Sequence, residues 1–297
     1  MELWIPITIA AAFTQNLRFA LQKHLKGQLS TLGVTFARFI YATPLAIALV
    51  LALSAARGVD LPARSPDFWA YAALGGVAQI FATALLVALF SFRNLAVGVA
   101  FSKTETVQTV IFSALILHEA ISFGGWIGIL ISLVGVILLS VAPGRFGLAG
   151  FWNRATLLGL GSGAFFGISA VSYRAASLAL GDGDFIMRAA LTLAVVTTMQ
   201  TVAMALWLRM REPGEIGRVL AQWRVAGLVG LTGMLGSLGW FSAMTLQHAA
   251  YVRALGQIEL VFTIAASWLF FGERSTGREI LGIVLLCIGI LFVLLYR

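Results

Sequence analysis

Apolar runs of about 20 residues follow one another along the chain, parted by short stretches where Lys, Arg, Asp, Pro and Gly return. Each run has the length that a helix needs to cross a hydrocarbon core of about 30 Å. The pattern predicts ten helices, at 3–22, 31–54, 68–92, 95–117 and 121–142, then 155–178, 184–208, 222–246, 249–271 and 277–296. The series is broken after the fifth run, from Pro143-Gly144-Arg145 to Arg154. A second punctuated connector, from Arg209 to Gly217, contains Glu212-Pro213-Gly214-Glu215.

The polar and glycine positions then repeat. Glu105 and Glu259 are 154 residues apart, and so are Glu119 and Glu273, Gly76 and Gly230, Gly128 and Gly282, and Gly135 and Gly289. Two related halves, 1–143 and 155–297, therefore make up one membrane domain. Five spans per half is an odd number, so consecutive halves enter the membrane in opposite orientations. The expected fold is an all-α integral membrane protein of two inverted five-helix repeats, with a pseudo-two-fold axis in the membrane plane.

Composition narrows this further. Apolar residues make up 60% of the chain and charged residues 11%, where a soluble domain carries about a quarter charged. The net charge of +8 sits largely in short connectors, where it reads as a topology signal rather than a nucleic-acid surface. Eleven basic residues fall on one side: Lys23, Lys26, Arg93, Arg145, Arg154, Arg209, Arg211, Arg218, Arg224, Arg274 and Arg278. Three fall on the other: Arg57, Arg64 and Arg297. In a cell's inner membrane, the positive-inside rule puts the first group in the cytoplasm and both termini outside. The first apolar run follows Glu2 and leads into Gln15, Asn16 and Arg18, so it reads as a mature helix rather than a cleaved signal. Cys287 is alone, and His24, His118 and His248 are isolated, so neither a metal site nor a cofactor is expected.

The candidate chemistry lies in the polar residues within the runs, which must face protein or water and find partners. Glu105 shares a helical face with Phe101 and Gln108, while Lys103 points nearly the opposite way. In the repeat Lys103 corresponds to Gln257, with Arg253 one turn earlier, which suggests an acidic layer and a separate basic-amide layer. Arg38 and Arg188 occupy similar places in the second helix of each half and are expected to pair with Glu105 and Glu259. Such pairs would fix helix packing. Alternatively, one glutamate binds a proton or a substrate ammonium group. Gln15, Arg18 and Gln22 form a polar stripe beside Asn16, and Arg18 either snorkels to the interface or meets a substrate carboxylate. Mid-membrane Trp240, with Tyr173 and Phe101, is a candidate either for a cavity wall or for core packing.

The segment Phe271-Gly272-Glu273-Arg274, followed by Gly282 and Gly289, has its first-half counterpart in His118-Glu119, Gly128 and Gly135. Together with the two five-helix halves, it resembles the EamA-type drug/metabolite transporter superfamily over essentially the whole chain. In the first half His118-Glu119-Ala120 stands where the marker has Gly-Glu-Arg. The resemblance implies ten helices around a central cavity framed by the first, third and fourth helices of each half, working by alternating access. It further implies a small-molecule substrate, with amino-acid export, including aromatic amino acids, as the leading expectation among amino acids, purine-type metabolites, sugars and sugar phosphates. No P-loop is present, so transport would draw on a solute gradient, exchange or a proton. An enzyme would need paired carboxylates or a nucleophile with its base, and the one close acidic doublet, Asp182-Gly183-Asp184, reads as a connector and helix cap. A channel would need a filter or charged ring. Ten helices suffice for a pathway, so no oligomer is required.

Overall fold

A computed structural model of the protein describes residues 2–58, 61–90, 102–140, 154–181, 183–262 and 276–296. They form eleven helices: α1 (Trp4–Leu25), α2 (Thr31–Arg57), α3 (Pro66–Leu89), α4 (Glu105–Ile116), α5 (Phe123–Ser140), α6 (Arg154–Leu178), α7 (Phe185–Arg211), α8 (Glu215–Ala221), α9 (Trp223–Leu246), α10 (Ala249–Gly256) and α11 (Gly277–Leu295). No strand occurs among the described residues.

Local sequence explains several starts. The hydroxyl of Ser30 accepts from Gly33 N at 2.9 Å and caps α2. Ser65 accepts from Phe68 N at 3.2 Å and caps α3, with Pro66 in the first turn. Asp184 accepts from Met187 N at 3.0 Å and caps α7. Each satisfies an amide that the helix itself leaves open. The connector read as punctuation holds an unanticipated helix, α8, which begins after Gly214 takes a left-handed φ of 88°.

The expectation of ten spans holds only in part. Helices α2, α3, α6, α7 and α9 are each long and apolar enough to cross a membrane, whereas α4, α5 and α11 are shorter apolar helices among the described residues. Much of the runs expected at 95–117 and 249–271 lies outside the described residues, as do Phe101, the Gly272-Glu273-Arg274 turn and most of the break at 143–154. Large apolar side chains face outward while several polar ones are buried. Leu115 is 68% exposed and Leu51 60%, while Gln22 is fully buried and Arg18 is 2% exposed. Apolar side chains outside and polar ones inside is the arrangement lipid demands, because a polar group facing hydrocarbon has no partner there.

Packing between the halves is reciprocal. Helix α1 lies on α9 and α6 lies on α3, and the 154-residue offset turns one pair into the other. The same offset maps the α2–α7 and α5–α11 contacts onto themselves. In the last of these the repeated glycines cross. A Cβ added at Gly128 would lie 2.7 Å from Gly289 O, and one at Gly135 would lie 2.7 Å from Gly282 O. Only glycine permits so close an approach of two backbones.

Candidate substrate site

Helices α1, α3 and α6 surround a cavity of about 190 Å³ that is completed by the segment entering α4 and the one leaving α10. Gln15, Asn16, Lys103, Glu105, Arg253 and Glu259 supply its polar wall, and Phe19, Leu86, Phe90 and Phe166 much of its apolar one. The lining comes from the last turns of α3, the second half of α1 and the start of α4. That is the end of the bundle where Lys23 and Lys26 also lie.

The charged residues pair across the two halves. Lys103 bonds Glu259 in a buried ion pair, and Arg253 Nη1 lies 3.5 Å from Glu105 Oε1. This corrects the expected pairing of Arg38 and Arg188 with the two glutamates. Helix α2 packs on α3, α7 and α9, so the Arg38 guanidinium donates instead to Thr83 Oγ1 at 3.0 Å on α3 and Ser237 Oγ at 3.1 Å on α9. Arg188 sits at the other end of the bundle and donates to Gly181 O at 2.7 Å.

The expected separation into acidic and basic layers also fails, because the chain turns at the two places where charge gathers. Lys103 and Thr104 form a turn just before α4, and Gln257 and Ile258 form one just after α10, at positions 154 residues apart. Around the second, Gln257 N bonds Ala254 O at 3.3 Å and Leu260 N bonds Gln257 O at 3.0 Å. These bonds span three residues, the tighter 3₁₀ spacing. A register of 100° per residue does not carry through such a turn, so Lys103 reaches Glu259 while Glu105 reaches Arg253.

Around this core the amides form a relay. Gln15 Nε2 donates to Glu259 Oε2 at 2.9 Å, and its Oε1 accepts from Trp240 Nε1 at 3.1 Å and from Arg18 at 3.4 Å. Asn16 Nδ2 donates to Glu259 O at 2.8 Å, and Arg18 Nη1 donates to Gln22 Oε1 at 2.8 Å. Arg18 therefore does not snorkel; it turns inward. Trp240 stands behind the wall with its indole 4.8 Å from the Arg253 guanidinium carbon, a cation–π contact in a dry setting. Gly256 leaves room for that indole, since a Cβ there would lie 2.4 Å from Trp240 Cη2. Gln257 bonds Thr106, and Gln108 Nε2 donates to Thr104 Oγ1 at 3.1 Å.

Tyr173 lies elsewhere. Its hydroxyl donates to Gly75 O at 2.8 Å and lies 3.0 Å from Gln79 Oε1, and Gln200 Nε2 also donates to Gln79 Oε1 at 3.0 Å. The small side of Gly75 admits the ring, because a Cβ there would meet Tyr173 Cε1 at 2.6 Å. Sequence reading did not single out Gln79 or Gln200; each is an amide within an apolar run, the same signal that marked Gln15.

A second missed cluster closes the opposite end. Arg174 Nε donates to Glu119 Oε1 at 2.8 Å, and its Nη1 donates to Met244 O at 2.6 Å and Gln247 O at 2.9 Å. The guanidinium thus ties α6 to the α4–α5 connector and to the carbonyls that end α9. His248 Nε2 is 3.9 Å from Glu119 Oε1. Burial pushes the His248 pKa down, against the upward pull of Glu119, and neighbouring Arg174 adds to the lowering.

The whole architecture has a solved counterpart. A structure described only as "Crystal structure of protein" superposes with a TM-score of 0.72 at 17% identity, covering 99% of this chain and 97% of that one. At that identity the likeness shows the fold. No curated protein matches the chain. The sequence itself matches one family model twice, over residues 2–141 and again over 153–295, so the protein is a multi-pass membrane protein that belongs to the EamA-like transporter family.

Proposed function

We propose that the protein is a secondary transporter of small polar metabolites, with amino acids as the leading solute class and export as the direction. The carrying observation is the cavity in which Gln15, Asn16, Lys103, Glu105, Arg253 and Glu259 converge from both halves within an otherwise apolar bundle. Buried charge in a membrane interior is costly and concentrates where a polar solute or ion passes. Interrupted helical bonding at repeat-equivalent positions supports the same reading, since transporters bind near such breaks at the interface of inverted repeats.

Under this reading the protein sits in the cell's inner membrane with both termini outside. The cavity then faces the cytoplasm, and the Arg174–Glu119 cluster closes the outer side. Alternating access would exchange these roles. Glu105 and Glu259 are the candidates for proton coupling, because protonation of either would release its cationic partner.

Purified protein in liposomes tests this with a panel of labelled amino acids and metabolites, with and without a pH gradient. Accumulation of one class is expected, and a gradient dependence would assign Glu105 and Glu259 a coupling role. No flux of any panel member, from protein shown to be folded, would sink the proposal.

A further inference from the structure

Among the described residues, the buried charges in and behind the cavity wall do not balance. Lys103 and Arg253 in the cavity lining and Arg18 and Arg38 outside it are all buried, against two carboxylates, Glu105 and Glu259. Arg174 has Glu119 of its own. Lys103 and Arg253 take both cavity carboxylates. Among the described residues Arg18 bonds only the amides of Gln15 and Gln22, and Arg38 only the hydroxyls of Thr83 and Ser237. Two guanidinium charges are therefore held by neutral groups. Their aliphatic stems pass the same residue, since a Cβ added at Gly233 would lie 3.2 Å from Arg38 Cγ and 3.5 Å from Arg18 Cδ.

The cavity wall shows the same surplus. Arg253 is 7% exposed, yet its Nε has no hydrogen-bond partner, and its contact with Glu105 is a loose 3.5 Å. Its guanidinium carbon lies 4.8 Å from the centre of the Trp240 ring, and the residue itself lines the cavity. A planar donor with an unused N–H is suited to a carboxylate or phosphate group. A buried, unsatisfied donor also strengthens discrimination, because a solute lacking the acceptor leaves the cost in place.

We propose that the cavity seats an anionic group of its solute, a carboxylate or phosphate, on Arg253 and Lys103, with Arg18 and Arg38 supplying the balancing positive field behind Gln15. The solute then carries net negative charge, as an acidic amino acid, a dicarboxylate or a phosphorylated metabolite does. A neutral zwitterion would leave the imbalance untouched. That the anion is cargo rests on the transporter reading; that it binds does not.

The test is thermal unfolding of the full chain in detergent at constant ionic strength, with succinate, L-glutamate, glycerol phosphate, inorganic phosphate or L-leucine added. A saturable rise in Tm with at least one of the first three, and none with L-leucine, is expected. Stabilisation by inorganic phosphate alone would mark an adventitious ion only, and would overturn the assignment of a solute. So would stabilisation by L-leucine without stabilisation by any anion. The joint variant Arg253→Gln with Glu105→Gln keeps the local charge unchanged and should weaken anion binding at least tenfold. An unchanged affinity overturns the seat, and if that variant does not fold, the wild-type ranking decides alone. Flux in liposomes separates the two claims. Anion binding without any flux retains the seat and rejects transport, whereas uptake of neutral amino acids without anion binding does the reverse.

Discussion

Among the contacts between the two halves, two are built from opposite materials. At the α5–α11 junction the halves meet through glycines, with Gly128 against Gly289 and Gly135 against Gly282. Each contact is repeated by symmetry and none carries charge. At the junction of α4 and α10 the halves meet through Lys103, Glu105, Arg253 and Glu259, and here symmetry fails. The counterpart of Lys103 is the neutral Gln257, so the positive charges come from non-equivalent positions. The identical contact serves as a scaffold, while the unequal one can recognise a molecule that has no symmetry of its own.

The largest effect should come from Glu259→Gln. It leaves Lys103 buried without a counter-charge, which in soluble proteins costs roughly 3–5 kcal/mol. Thermal unfolding in detergent should show a steep loss of Tm, and adding Lys103→Gln should restore much of it. If the double variant is no better than the single one, the pair is not what holds this junction. Glu105→Gln should cost less, about 1.5–3 kcal/mol, because its partner is 3.5 Å away and already rests on Trp240. Equal losses for the two glutamates would remove the asymmetry from the comparison.

At the other junction Gly289→Val and Gly135→Val should each cost about 1–3 kcal/mol by overpacking, and by similar amounts, since the sites are equivalent. A large inequality between them would mean the scaffold is less symmetric than its backbone contacts. The smallest effect concerns His248. Its folded pKa is lowered, so the unfolded chain takes up a proton first as pH falls through the usual value of 6.5. Stability should therefore decline gently on acidification through and below that value, and His248→Gln should remove that part of the decline. A variant with an unaltered pH profile would show that the histidine stays unperturbed.

Much of this was legible in the residues. The 154-residue offset announced two halves, and apolar runs announced helices, because lipid forces every span into one narrow solution. Glu105, Glu259, Lys103 and Arg253 stood out for the same reason, as charges where charge is expensive. Their partners were not legible. Arg38 and Arg188 looked like a matched pair from spacing alone, but which helices lie against α2 is a property of the assembled bundle. The turn at Lys103-Thr104 contains neither Gly nor Pro, and Gly256 before Gln257-Ile258 is one of many glycines in the spans, so little local signal marked where helical periodicity stops. Arg174 was one more basic residue in a span until α9 ended beside it and offered two carbonyls.

The crossing of Gly128 with Gly289 and of Gly135 with Gly282 has a bearing on assembly. A surface in which one residue meets a second, while their equivalents meet in reverse, is isologous, the kind by which identical subunits dimerise. The α5–α11 face thus has the geometry for two separate half-length chains to recognise each other. Joining them in one polypeptide replaces a concentration-dependent association with an intramolecular one. With that contact secured by the chain itself, the two halves were free to diverge at the charged junction without losing each other.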